Sequence, residues 1–177
     1  MAVQIGARPD SGFDDPIGML KDCHRRIEHF LNTICAVVER GHARRLSEEE
    51  AAAVEAALHY FRVGGKRHSA DEEESLFPRM REDAALANLP ELGKLENEHR
   101  EANSLHETVG VLCSAWIRVG RLNAANEQQL VSATQRLRRL YAEHIEMEET
   151  VVFPRAAAAL DGKTIAVIGE EFRARRA

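Results

Sequence analysis

The sequence is poor in several things, and each shortage excludes something. Its three cysteines, Cys23, Cys35 and Cys113, are odd in number and widely spaced, which argues against a disulfide framework. Cys35 and Cys113 sit among apolar residues and read as core filling, while Cys23 adjoins His24 and is a candidate reactive thiol. Only 5% of residues are aromatic, and glycine and proline are sparse, whereas Ala, Leu, Glu and Arg are plentiful, which favours helix. Basic residues do not exceed acidic ones, the formal net charge being −5, so nucleic-acid binding has no electrostatic support. The clearest basic cluster, Arg173, Arg175 and Arg176, reads as a solvated helix end. No run approaches the ~18 apolar residues of a membrane span, so no membrane partner is expected. Met1 to Asp15 lacks the basic-then-apolar layout of a signal peptide, and the cytoplasm is the expected location.

What remains is helical punctuation and periodicity. At 177 residues the chain is expected to form one domain. Asp15-Pro16 reads as an N-cap followed by proline at the first helical position, opening a helix to about Arg40 that Gly41 stops. Its apolar stripe, Ile27, Leu31, Ile34 and Val38, shares a face with His24. Ser47 to Glu50 reads as a capping box for a second helix, weakened at Gly64-Gly65 and expected to end near Phe77-Pro78. A third helix is expected from about Pro90 to Val119, with Leu92, Leu95, His99, Ala102, Leu105, Val109 and Leu112 on one face and Gly120 ending it. The fourth runs from about Asn123 to Val152 with Leu130, Leu137, Leu140, His144 and Glu148 inward, and Pro154 stops or kinks it. A short helix, roughly Lys163 to Arg175, is expected to cap an all-α, antiparallel up-down-up-down four-helix bundle.

The chemistry lies in a repeat. Residues from His68 to Arg79 and from His144 to Arg155 align without a gap and share His, Glu, Glu, Phe, Pro and Arg. One further histidine precedes each segment: His24 lies 44 residues before His68, and His99 lies 45 before His144. Positions i and i+4 on a helix lie on one face, roughly 5–6 Å apart, so each His-x-x-x-Glu can reach one metal or a bridged pair. A carboxylate on an apolar stripe costs several kcal/mol unless compensated, and two facing each other repel as well. A cation resolves both problems. Four imidazoles and two carboxylates suit iron, with manganese or zinc as lesser options.

On these residues the chain resembles the hemerythrin-like, or HHE cation-binding, domain family, over about Pro16 to Pro154. The motifs are Cys23-His24-Arg25, the paired HxxxEE…FP segments and Glu98-His99. The resemblance implies a four-helix bundle holding two iron ions, joined by an oxo or hydroxo bridge. It makes His24, His68, His99 and His144 terminal ligands and Glu72 and Glu148 bridges. Oxygen-carrying members place a further His where this chain has Asn103, and an Asp where it has Glu148. The pattern is closer to bacterial members with four His and two Glu, including iron–sulfur repair proteins. Those add an N-terminal cysteine-containing domain, whereas the first helix here opens at Pro16, which argues against that role.

The expected function is binding or sensing of a small gaseous or peroxide ligand: dioxygen, nitric oxide or peroxide. The alternatives are a di-iron redox enzyme for peroxide or nitric oxide, or an iron-storage or stress-response module. His106 and Glu28 are candidates to join or flank the site, and Tyr141 to support it; Glu73 and Glu149 are expected to point aside into salt bridges. His29, His42 and His59 read as structural or exposed, and the Phe-Pro pairs as closing the helix ends over the metal layer.

Overall fold

The computed structural model describes residues 10–41 and 44–177; His42 lies outside them. Helix α1 spans Pro16–Arg40. The Asp15 carboxylate accepts from the Gly18 N–H at 2.9 Å, and Pro16 occupies the first turn, where its missing N–H costs nothing. Helix α2 covers residues 48–82 and opens with both hydrogen bonds of the expected capping box, between Ser47 and Glu50. Helix α3 is Pro90–Val119. Helix α4 covers residues 124–159, and α5 is Gly162–Ala174, each opened by an Asn or Asp cap, Asn123 and Asp161.

Gly120 ends α3 at φ 88°, a left-handed conformation that favours glycine. A Cβ there would meet the flexible end of Arg45, so backbone strain sets the penalty. Gly120→Ala is expected to lose about 1–2 kcal/mol, read as a lower urea midpoint. An unchanged midpoint would contradict this reading.

Two helix ends differ from expectation. Neither Pro78 nor Pro154 stops its helix: α2 continues to Glu82 and α4 to Ala159. A widened π turn precedes each proline, at Glu72–Leu76 and Glu148–Val152. In these turns Phe77 N–H donates to Glu72 O and Phe153 N–H to Glu148 O, five residues back. Proline cannot donate to the carbonyl four residues before it. At Pro78 that carbonyl, on Glu74, accepts instead from Arg79 Nη1 at 3.3 Å, and Ser75 O accepts from the same atom at 3.2 Å. A third π turn, Phe61–Gly65, falls where the glycine pair weakens α2.

The long helices pack side by side: α1 lies against α2 and α4, and α3 against α4 and α2. The chain is thus an all-helical bundle, and among the described residues no helix is long and apolar enough to cross a membrane. Its core falls into two apolar clusters. One is built on Ile27, Leu31, Ile34, Val54, Phe61, Val109, Trp116, Leu130 and Leu137. The other gathers Leu20, Leu76, Phe77, Met80, Leu95, Val152 and Phe153 with Ile168 and Phe172 of α5. Along α1, α3 and α4 the boundary between the clusters falls at His24, His99 and His144, and along α2 at His68. The three cysteines are free and buried, and burial pushes the Cys23 thiol up, which makes it a poor nucleophile.

The basic cluster at the end of α5 is not a solvated helix end. Arg175 Nη1 donates to Asp71 Oδ1 at 2.9 Å and Arg176 Nη2 to Asp71 Oδ2 at 2.5 Å, and Asp71 is fully buried. Arg175 also donates to Ser75 Oγ, while the Arg173 guanidinium lies 4.5 Å over the Phe13 ring. The reason is tertiary: α5 docks Ile168 and Phe172 into the second core, which carries its last turn onto α2.

Candidate metal centre

All six residues of the doubled motif meet in the layer between the two cores. His24, His68, Glu72, His99, His144 and Glu148 are each at most 4% exposed. They form two overlapping groups that share both carboxylates: His24, His68, Glu72 and Glu148, and His99, His144, Glu72 and Glu148. Within each group one ligand-type atom per residue lies within 4.8 Å of all the others.

The carboxylates are oriented so that each divides its oxygens between the groups. Glu72 turns Oε1 toward His68 Nε2 at 3.4 Å and Oε2 toward His99 Nε2 at 3.2 Å. Glu148 turns Oε2 toward His24 Nε2 at 3.0 Å and Oε1 toward His144 Nε2 at 3.2 Å. The sequence repeat is thus a spatial repeat, with α1 and α2 mirrored by α3 and α4.

Three of the four imidazoles are set from behind. His24 Nδ1 donates to Glu149 Oε1 at 2.8 Å, His99 Nδ1 to Glu73 Oε1 at 2.7 Å, and His144 Nδ1 to Glu98 Oε2 at 3.0 Å. A carboxylate acceptor at Nδ1 leaves Nε2 as the nitrogen facing the cluster. Glu73 and Glu149 thus turn aside from the cluster, and the partner each pairs with is the imidazole of a neighbouring helix, His99 and His24. Glu98 was legible only as part of the Glu98-His99 motif, and its partner His144 lies on another helix. Phe153 stacks on His24 and Phe77 on His99, at ring-centroid distances of 5.5 and 6.5 Å, so the Phe-Pro pairs do close over this layer.

The remaining candidates stay outside the cluster. Glu28, His29, His59 and Asn103 are exposed. His106 lies seven residues, about 10 Å of helix, beyond His99. Its Nε2 is 3.0 Å from the Tyr141 hydroxyl, and its ring stacks on Phe61 at 4.1 Å. Burial lowers His106 to about 4, so the imidazole is neutral and accepts from the tyrosine. Tyr141 in turn sets its ring edge-on to His144 at 6.3 Å, which makes it a support for that imidazole rather than a member of the cluster.

Burial and mutual charge shift the ionisable groups of the cluster in opposite directions. Burial and the facing Glu148 push Glu72 up to about 7. Burial also raises Glu148, but His144 and His24 outweigh it and hold that carboxyl well below its usual range. Burial lowers His99, yet Glu72 and Glu73 overcome it and lift the imidazole to about 9. His68, where burial and the neighbouring His24 act together, falls well below its usual value.

Hydrogen bonding does not settle the cluster. His24 Nε2, both nitrogens of His68 and both oxygens of Glu72 and of Glu148 are buried without a hydrogen-bond partner. Each such orphaned group costs roughly 1–3 kcal/mol, more when charged. The inward, unpaired Nε2 atoms of His24 and His68 and the four carboxylate oxygens, with His99 Nε2 and His144 Nε2 3.1 Å apart beside them, are the donor set a transition-metal cation requires, so the residues fit a metal.

Comparison with known proteins agrees. No curated protein matches the chain significantly. The family described as hemerythrin HHE cation binding domain matches residues 15–156, most of the chain and all six clustered residues. The chain belongs to the hemerythrin HHE cation-binding family.

Proposed function

We propose that the chain is a cytoplasmic, single-domain non-haem di-iron protein that binds or senses small oxidants: dioxygen, nitric oxide or peroxide. In this reading α1 to α4 form an up-down-up-down bundle. His24 and His68 hold one iron, His99 and His144 hold the other, and Glu72 and Glu148 serve both. The observation that carries it is the division of each carboxylate's two oxygens between two groups of imidazoles. Iron bound there supplies one-electron redox steps and coordination positions open to a small ligand.

The chain's own residues do the rest. Glu149, Glu73 and Glu98 hold three imidazoles with Nε2 inward. Phe77, Phe153 and the two flanking cores exclude bulk water. Four donors per position fall short of six-coordination, so a small molecule has somewhere to bind. The exposed Asn103 adds no further imidazole, and this favours sensing or redox handling over reversible dioxygen carriage.

Anaerobic reconstitution with ferrous iron, followed by addition of dioxygen, nitric oxide or peroxide, tests the reading. New near-ultraviolet and visible absorption is expected with at least one of them. A loaded protein whose spectrum ignores all three would remove the oxidant role. Sustained turnover of peroxide or nitric oxide would move it from sensor to enzyme.

A further inference from the structure

The two halves of the cluster match except in one place. Glu149 behind His24 corresponds to Glu73 behind His99, since each follows the shared carboxylate of its own half and crosses to the other. Glu98, which precedes His99, stands behind His144. The corresponding residue in the first half precedes His24 and should stand behind His68; it is Cys23. A thiol is a weak acceptor where the twin position has a carboxylate. The Cys23 sulfur already accepts from Arg26 Nη2 at 3.3 Å. Accordingly His68 Nδ1 is buried with no hydrogen-bond partner.

A carboxylate behind a ligating imidazole fixes its orientation and raises its basicity, and its loss weakens metal binding about 10- to 100-fold. The His99–His144 position has two such carboxylates and the His24–His68 position has one. We propose that the two positions hold divalent cations unequally, so that the His24–His68 ion exchanges readily while the His99–His144 ion is retained, and the protein passes through a one-ion state. The inference rests on the two-metal reading above. Glu98, Glu73 and Glu149 act in it as positioning residues, each through the imidazole it holds.

The test uses cobalt(II) as the probe on the full chain. The loaded protein is challenged with a chelator, and native mass spectrometry follows the two-ion, one-ion and ion-free species. Release in two phases, about 10-fold or more apart, with a one-ion species accumulating between them, is the expected result. His68→Ala should delete only the fast phase. Glu98→Gln should accelerate the slow phase, and Cys23→Glu should retard the fast one, with no matching change in the thermal midpoint of the ion-free proteins. Should Cys23→Glu not fold, Glu98→Gln and His68→Ala carry the test alone. Two ions leaving at one rate, or a slow phase unmoved by Glu98→Gln, would overturn the inference and leave the two-metal reading standing. A chain that takes up no cobalt overturns both.

Discussion

Replacing Glu72 and Glu148 together by glutamine should take the reconstituted chain from two bound transition-metal ions to none. Glutamine keeps the shape and removes the charge. Because each carboxylate faces imidazoles of both groups, at 3.0 to 3.4 Å, neither group keeps an anionic donor in the double variant. Elemental analysis after reconstitution reads the loss directly. Thermal unfolding gives a second reading: an ion present at 100 times its dissociation constant stabilises the folded state by about 2.7 kcal/mol. In a chain of this size that raises the midpoint by roughly 5–10 °C. The parent protein should show this rise on loading and the double variant should not. Two ions retained by the variant would show that these carboxylates are not the ligands.

The second large effect lies away from the cluster. Arg175→Ala with Arg176→Ala should destabilise the fold by about 3 kcal/mol, the lower end of the range for breaking a buried ion pair. The lower end applies because the two arginine side chains are themselves 20% and 22% exposed while Asp71 is fully buried. The variant leaves Asp71 with no cation and frees the last turn of α5 from Ser75. Adding Asp71→Asn should recover part of the loss, since the uncompensated charge is what is expensive. Calorimetry with the three proteins decides. A loss below about 1 kcal/mol would place the clamp with ordinary surface pairs.

Much of this was legible in the sequence, for identifiable reasons. The capping box at Ser47, the proline at Pro16 and the glycine at Gly120 act within a few residues, so their signals are local. The six clustered residues were legible because they occur twice with the same spacing. Polar residues repeated on apolar stripes are costly to bury unless a cation compensates them. What escaped depends on which helix lies opposite. Glu73 reaches His99 across 26 residues and Glu149 reaches His24 across 125, and no helical periodicity encodes such partners. The helix ends expected near Phe77-Pro78 and Val152 were placed too early because the proline penalty was read in isolation. Phe77 and Phe153 keep α-helical angles before their prolines because the π turns and the surrounding core hold the helix together. The arginines of α5 misled for the complementary reason: a charged run on a terminal helix looks solvated until its apolar face is seen to dock.

The cross-over of Glu73 and Glu149 has a consequence for ancestry. Taken alone, the first half of the chain offers two imidazoles, one shared carboxylate and no acceptor behind either imidazole. The second half can position His144 for itself but not His99. Neither half is a smaller version of the centre. A single half could have built this arrangement only against a second copy of itself, as a two-fold dimer shares a site that belongs to neither subunit. In the present chain the two halves meet at Glu72 and Glu148, and because both halves lie in one chain, Cys23 and Glu98 can differ where a dimer of identical halves would have to carry the same residue twice.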